Sequence, residues 1–127
     1  MHKLSIPTSK TTEVLDITDA VLSAIKADDA KMALVHIPHT TAAIMINEFE
    51  PNIKIDFETL YSTLVPDSDY LHEHVDSNAK AHLTASLIGN SATFPINKGK
   101  AALGVWQRII LVELDGPRER EVYIQVI

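Results

Sequence analysis

The feature that most constrains the fold is the predominantly apolar segment Trp106–Leu114 near the end of the chain. Isoleucine, leucine and valine fill its middle without the alternation of a half-exposed strand, which is typical of a central strand covered on both faces. Asp115-Gly116-Pro117-Arg118 follows and is a strong turn signal before a last strand at 119–126. We therefore expect a sheet organised around a strand at 101–114.

The rest of the chain divides into short strands and helices. Thr18 is expected to cap a helix running to about Asp28, and Pro51 fits the first turn of a helix that Pro66 ends. A third helix is expected from about Asn78 to Ile88, followed by Gly89 as its C-terminal cap; further strands are expected at 2–8, 11–17, 31–38, 42–49 and 91–96. Because the strands come in consecutive pairs, the order predicts an α+β fold with a mainly antiparallel sheet. The length fits one domain, 1–127.

Composition excludes several classes of function. The chain has no cysteine, which excludes disulfides, thiolate catalysis and cysteine-based zinc sites. Its net charge is −6 and it has no stripe of lysine and arginine, so nucleic-acid binding is poorly supported. No apolar run approaches the roughly 20 residues that cross a bilayer, and we expect a cytoplasmic protein without a membrane partner.

Histidines are the first candidates for chemistry, and the chain has six. His72 and His74 would face the same side of a strand but not of a helix. His82 is expected on a helix, beside apolar positions, pointing towards a cavity or a partner group. Two or three imidazoles with a carboxylate would suit zinc or another first-row metal, whereas structural histidines with satisfied hydrogen bonds are the alternative.

Polar residues within the apolar segment are the second group of candidates. Glu113 needs a partner if it is buried. It either leaves the core at the strand end or serves as a ligand or general base at the rim of the sheet. Gln107 must be hydrogen-bonded within a buried strand, and Trp106 would face the other side, where core packing is favoured over a substrate contact.

Arg118 and Arg120 form the only basic cluster, close to Arg108. They represent either ordinary surface charge or a small anion site built from arginine forks. Acidic candidates in the sequence are Glu48, Asp56, Asp76, Glu113 and Asp115.

Motifs from residue 16 to the C-terminus match one family in order. They are Asp16-Ile17-Thr18, His39-Thr40-Thr41-Ala42-Ala43, Asn47-Glu48 with Pro51 and Asp56, Tyr70 with His72, Asp76 with Asn78, Ala81-His82-Leu83, Leu87 with Gly89, Pro95, Gly99, Leu103-Gly104 with Trp106-Gln107, Glu113, and Asp115-Gly116-Pro117-Arg118. Through them the chain resembles the YjbQ family, whose members are described as secondary thiamine-phosphate synthases. It departs from the family at Val75 and Ser77, where glycines are frequent, and at Lys80.

The resemblance implies a half-barrel with two to three helices, a homotrimer and a polar cleft lined by the matched histidines. At the matched positions we expect a divalent metal, zinc or magnesium, on His39, His72 and His82. The expected catalytic residues are Glu48, Asp76, Asn78, Gln107 and Glu113, and the expected substrate-binding residues are Thr40, Trp106 and Arg118.

The implied activity joins hydroxymethylpyrimidine diphosphate to a thiazole phosphate, giving thiamine phosphate and pyrophosphate. Two other classes remain open: a metal- or metabolite-binding trimer without catalysis, and a metal-dependent hydrolase. An open coordination position beside the metal would distinguish a catalytic site from a structural one.

Overall fold

The structure, a computed structural model, describes residues 1–25 and 29–127. Within these ranges the strands are β1 (His2–Pro7), β2 (Glu13–Asp16), β3 (Met32–His36), β4 (Ala42–Asn47), β5 (Ser91–Asn97), β6 (Lys100–Ala101), β7 (Arg108–Glu113) and β8 (Glu119–Val126). The α-helices are α1 (Thr18–Ala24), α2 (Pro51–Thr63) and α3 (Ala79–Ile88), and Leu71–His74 forms a 3₁₀ helix. None of the described helices is long and apolar enough to cross a membrane.

The strands form two antiparallel sheets that together make a half-barrel, as expected. In the described part of the chain, one sheet has the order β1-β8-β3-β5-β6 and the other the order β2-β7-β4. A core of apolar side chains fills the space between the sheets, and a second, smaller core lies between the three-stranded sheet and helices α2 and α3. The predicted α+β class is therefore confirmed.

Strand β7 lies between β2 and β4, as the apolar segment predicts. Ile109 and Leu111 pack into the core between the sheets, whereas Ile110 and Val112 pack into the core under the helices. All four side chains are completely buried. Because both faces of the strand are covered, its sequence cannot alternate between apolar and polar residues.

The predicted strand at 101–114 is interrupted. Residues 102–107 carry the chain from β6 in one sheet to β7 in the other. A tight turn closes this connection: Gly104 N–H donates to Gln107 Oε1 at 2.7 Å, and Gln107 N–H donates to Gly104 O at 3.0 Å. The buried-strand position expected for Gln107 is therefore wrong. Core packing is also wrong for Trp106, which is 71% exposed.

Thr18 has a different role from the predicted helix cap. It is the first residue of α1, and its hydroxyl donates to Asp16 Oδ1 and accepts from Ile109 N–H at 2.8 Å. The hydroxyl thus ties the helix to β7 instead of capping the helix. Helix α1 ends at Ala24 and Ile25 is extended, so the predicted helix is too long at this residue; its last part, 26–28, falls outside the described residues.

The predicted start of α2 at Pro51 and the predicted end of α3 at Gly89 are confirmed. Pro51 occupies the first turn of α2, and the side chain of Glu50 caps this helix by accepting two backbone N–H groups. Gly89 ends α3 with a φ of 104°, a value that L side chains rarely adopt. Asn78 precedes α3 but its side chain does not cap the helix, because its amide is held elsewhere.

Candidate functional site

Three segments meet at one edge of the half-barrel and form an open, polar cleft of about 400 Å³. They are 38–41 between β3 and β4, 76–82 leading into α3, and 115–120 joining β7 to β8. The predicted site residues that line the cleft are His39, Thr40, Asp76, Asn78, His82 and Arg118. Six of the predicted site residues therefore lie together in the structure, which also shows the contacts between them.

The predicted turn at 115–118 is packed against the loop between β1 and β2. Gly116 N–H donates to Thr11 O at 3.2 Å, and a Cβ atom at Gly116 would lie 2.2 Å from Lys10 O. Only glycine allows this close approach. The packing fixes Asp115 and Arg118 at the cleft.

Asn78 links a histidine to a carboxylate. Its Nδ2 donates to Asp115 Oδ2 at 2.9 Å, so its Oδ1 faces His72 Nε2 at 3.0 Å. An amide oxygen only accepts hydrogen bonds, and His72 Nε2 must therefore carry the proton and donate. In its neutral form the ring then has a lone pair on Nδ1, which is the arrangement of a metal-binding histidine oriented by a second residue.

His72 also contacts His82 from α3. Their ring centroids are 4.6 Å apart and the rings are nearly perpendicular, at 75°. His72 lies on the 3₁₀ helix and contacts His82 beside the cleft, and neither His72 nor His74 is among the residues that line the cleft. Two of the three predicted ligands are thus neighbours, although no three histidine, aspartate or glutamate side chains of residues 1–25 and 29–127 converge to hold a metal ion.

His39 lines the cleft, and its Nε2 accepts a hydrogen bond, whereas that of His72 donates one. Its Nε2 accepts from Glu121 N–H at 3.0 Å, so the proton of the neutral ring is on Nδ1. Burial, followed by the positive charge of Arg120, lowers the pKa of His39 below its ordinary value. A metal on Nδ1 would require a proton on Nε2, directed at the N–H of Glu121. The geometry therefore disfavours the predicted ligand role and leaves His39 as an Nδ1–H donor.

Arg118 is held at the rim of the cleft by Asp115. Its Nε donates to Asp115 O at 2.8 Å, and its Nη2 donates to Asp115 Oδ2 at 3.0 Å. Burial raises the pKa of Asp115, but hydrogen bonds from Asn78 and Arg118 and the charges of Arg118 and Arg120 bring the net pKa below its ordinary value. Asp115 thus stays ionised at neutral pH and orients both Asn78 and Arg118.

Glu113 lies beneath the cleft in a buried ion pair with Arg120. Arg120 Nε donates to both carboxylate oxygens, at 3.0 and 2.9 Å, and Nη2 also donates to Thr41 Oγ1 at 2.9 Å. Thr8 Oγ1 donates to Glu113 at 2.7 Å. Glu113 is fully buried and Arg120 is 3% exposed, so this position favours support of the cleft floor over proton transfer at the rim.

The other three predicted site residues lie at the far end of the three-stranded sheet. Ala42 on β4 pairs with Glu113 beneath the cleft, whereas Asn47 pairs with Arg108, five residues further along and about 16 Å away. Glu48, Trp106 and Gln107 adjoin this second end. Within one chain they do not join the cleft.

Two site residues, Thr41 and Asp115, were not assigned roles from the sequence. Asp115 was an acidic candidate within the turn, and its position three residues before Arg118 is compatible with the observed ion pair. Thr41 belongs to a matched motif, but its hydroxyl accepts from Arg120, 79 residues away in sequence, and no local pattern predicts this contact.

The fold and the cleft define an α+β half-barrel protein with a polar site at one edge of its sheets. Comparison with known sequences identifies the family: residues 2–127 match the YjbQ family, described as UPF0047 protein YjbQ-like, and the chain belongs to this family. A UPF0047 protein of Archaeoglobus fulgidus is 44% identical over 98% of this chain and 99% of its own length. The UPF0047 protein YugU of Bacillus subtilis is 36% identical over 99% and 98%.

Solved structures of similar proteins share the fold. An uncharacterized conserved protein of the YjbQ/UPF0047 family from Clostridium acetobutylicum is 39% identical, with a TM-score of 0.92 over all of both chains. A hypothetical protein from Aeropyrum pernix is 38% identical, with a TM-score of 0.91 over 99% of this chain and 96% of that chain. The resemblance found in the sequence motifs and its implied fold are therefore confirmed.

Proposed function

We propose that the protein is a transferase that joins hydroxymethylpyrimidine diphosphate to a thiazole phosphate, as a main or secondary activity. The observation that carries the proposal is that His82 and Arg118 line one open, polar cleft while His72 contacts His82 beside it. Its volume of about 400 Å³ falls in the usual range for small-molecule sites. The bond from the pyrimidine methylene carbon to the diphosphate oxygen breaks, its electron pair leaves on pyrophosphate, and the thiazole nitrogen lone pair forms the new C–N bond.

The charge of the cleft supports a requirement for a divalent cation. In the described chain, three carboxylates face or underlie the cleft against two guanidinium groups: Asp76, Glu113, Asp115, Arg118 and Arg120. With neutral histidines this region carries a net negative charge, which by itself would repel a diphosphate. A cation would reverse the sign and neutralise charge on the leaving pyrophosphate.

The chain's own residues fit such a cation in part. His72 would bind it through Nδ1 with Asn78 orienting the ring, and His82 would supply a second imidazole. Arg118, fixed by Asp115, would neutralise phosphate oxygens at the rim. The thiazole nitrogen attacks as a neutral base, so the reaction requires no strong proton acceptor from the protein.

We also propose that the protein is a cytoplasmic homotrimer. Apolar side chains on the two segments that carry His72 and His82 remain exposed in the single chain: Leu71 at 83%, Val75 at 82%, Leu83 at 40% and Leu87 at 68%. Clustered exposed apolar residues mark interaction surfaces. In a cyclic assembly the far end of one chain, with Glu48, Trp106 and Gln107, could lie against the cleft of the next.

A binding protein without catalysis is the second candidate. The observation that limits the metal site favours this candidate. Among the described residues of one chain, only two of the three predicted histidine ligands, His72 and His82, are in contact. Such a protein would use the cleft for one metabolite and would not need to position two substrates.

Product formation distinguishes the two candidates. The assay is thiamine phosphate formation from the two phosphorylated precursors, with magnesium and then with zinc. We expect slow, metal-dependent synthesis that is lost in His82→Ala and retained in the matched control His74→Ala. If no product forms with magnesium or with zinc, or if His82→Ala forms as much product as the parent, the binding protein is favoured.

A further inference from the structure

A second pocket, of about 360 Å³, adjoins the cleft between the loop after β3 and the C-terminal half of α3. Three of its lining residues also line the cleft: His39, Thr40 and His82. The other five are Ala42, Ala85, Ser86, Gly89 and Asn90. We name it the neutral pocket, because none of the described residues that line it is an aspartate, glutamate, lysine or arginine.

The neutral pocket and the cleft differ in charge. Asp76, Asp115, Arg118 and Arg120 line the cleft, whereas the neutral pocket has uncharged side chains. The shared His39 also favours its neutral form, because burial and the charge of Arg120 lower its pKa. A charged group placed in the neutral pocket would lose hydration without gaining a counterion. The two compartments together therefore suit a ligand with one charged and one uncharged part.

Small residues leave space in the neutral pocket. Ala42 is 1% exposed and Ala85 is 7% exposed, and Gly89 has no side chain. A Cβ atom added at Gly89 would meet no atom within 4 Å, so the space in front of this residue is open. The volume lies at the lower end of the usual range for small-molecule sites, which suits a single ring with small substituents.

The neutral pocket offers hydrogen-bonding groups of both kinds. His39 Nε2 accepts from Glu121 N–H, so Nδ1–H is a donor, and it makes no hydrogen bond to a described residue. The Ser86 hydroxyl donates to Leu83 O at 2.6 Å, which leaves the lone pairs of its oxygen as acceptors. The Asn90 side chain adds an amide donor and a carbonyl acceptor.

We propose that the neutral pocket binds an uncharged nitrogen heterocycle with an amino substituent, an aminopyrimidine, whose phosphate groups lie in the cleft. A ring nitrogen would accept from His39 Nδ1–H, and the amino group would donate to Ser86 Oγ. The inference rests on the proposed function only in joining the ring and the phosphates in one substrate. Binding of the ring itself requires no catalysis.

The test is a ligand-observed NMR titration of the full chain, without metal. The probe is the free hydroxymethylpyrimidine base, which carries a ring amino group, under mildly alkaline conditions that keep the ring uncharged. We expect saturable binding that is lost in Ser86→Leu, because leucine fills the pocket. Ser86→Ala should weaken binding about fivefold by removing an acceptor, and Ser86→Thr, which keeps the hydroxyl, should restore it.

Ser62→Ala is the matched control. Ser62 is exposed on α2 and donates to the backbone oxygen three residues earlier, as Ser86 does on α3, but it does not line the neutral pocket. This variant should bind the ring like the parent. Benzyl alcohol, a ring without a ring nitrogen or an amino group, should bind about fivefold more weakly than the pyrimidine.

A second probe, pyrophosphate with magnesium, separates the two compartments. Ser86→Leu should bind pyrophosphate like the parent, whereas Arg118→Lys should weaken binding of pyrophosphate but not of the ring. Absence of saturable ring binding by the parent, or ring binding unchanged in both Ser86→Leu and Ser86→Ala, would overturn the assignment. So would ring binding that falls in Arg118→Lys but not in Ser86→Leu, which would place the ring in the cleft.

The proposed function fails on a different result. Ring binding with the expected dependence on Ser86, but without any formation of thiamine phosphate, would support the neutral pocket and contradict the transferase.

Discussion

His72 donates its Nε2–H to the side-chain oxygen of Asn78 at 3.0 Å. The two residues are six positions apart, and Asp115 completes the chain of hydrogen bonds by accepting from the Asn78 amide. This arrangement sets the tautomer of one imidazole of the neighbouring His72–His82 pair. It also explains why the start of α3 lacks a side-chain cap, since the cap residue orients the histidine instead.

The first prediction concerns this link. Asn78→Ala should lower zinc affinity about 10–100-fold, because His72 loses the group that fixes its ring and tautomer. Calorimetric titration with zinc measures the change. Asn97→Ala on β5 serves as the control and should bind like the parent; zinc binding by Asn78→Ala at the parent affinity would contradict the role of the link.

The second prediction concerns the protonation of His39. Because its folded pKa is lowered, the folded protein binds this proton less readily than the unfolded chain does. The contribution of His39 to stability is therefore complete above its unfolded pKa of about 6.5 and is lost as the pH falls below that value. Nitrogen-detected NMR titration should show a pKa below 6.5 and an Nδ1–H tautomer; a raised pKa or an Nε2–H tautomer would contradict the structure.

The third prediction concerns the buried ion pair. Glu113→Gln should lower the free energy of unfolding by about 3–5 kcal/mol, because it leaves the charge of Arg120 buried without its counterion. Urea unfolding measures the loss. Glu119→Gln, at an exposed carboxylate, should change stability by less than about 1 kcal/mol. Equal stability of the two variants would show that the pair does not support the cleft floor.

Local patterns predicted the parts of the fold that depend on local physics. The apolar run around Ile110 identifies a strand covered on both faces, Pro51 identifies a helix start, and Gly89 identifies a helix end. The predicted strand 101–114 does not include the break before β7, because the passage of the chain from one sheet to the other depends on tertiary packing. Gly104 and Gln107 form the turn there through their own hydrogen bonds, which the strand-like composition of the segment does not reveal.

The site was predictable to a similar extent. Family motifs located His72, Asn78 and His82 together, and the turn signal located Arg118. The hydrogen bonds that determine the orientation of Asn78 and the tautomer of His39 join residues far apart in sequence. Asn78 and Asp115 are 37 residues apart, and His39 accepts from a backbone N–H 82 residues away. No spacing rule predicts such pairs, because they depend on how β7 and β8 pack beside α3 and the loop after β3.

The fourth prediction concerns anion binding at the rim of the cleft. Arg118→Lys keeps the positive charge but loses the guanidinium fork, and it should weaken pyrophosphate binding by roughly 1–3 kcal/mol. Calorimetry with pyrophosphate and magnesium measures the loss. Arg108→Lys, at the far end of the three-stranded sheet, is the matched control. If Arg118→Lys binds as tightly as the parent, Arg118 forms only a surface ion pair with Asp115, worth about 0–1 kcal/mol.

The most direct test of the account is the metal content of purified protein loaded with zinc and dialysed, determined by elemental analysis. The comparison includes the parent, His72→Ala, His82→Ala and the control His74→Ala, whose ring is not part of the His72–His82 pair. The account predicts that the parent and His74→Ala retain zinc, whereas His72→Ala and His82→Ala lose most of it. Equal zinc content in the parent and His82→Ala would contradict the assignment of the cleft as a metal site.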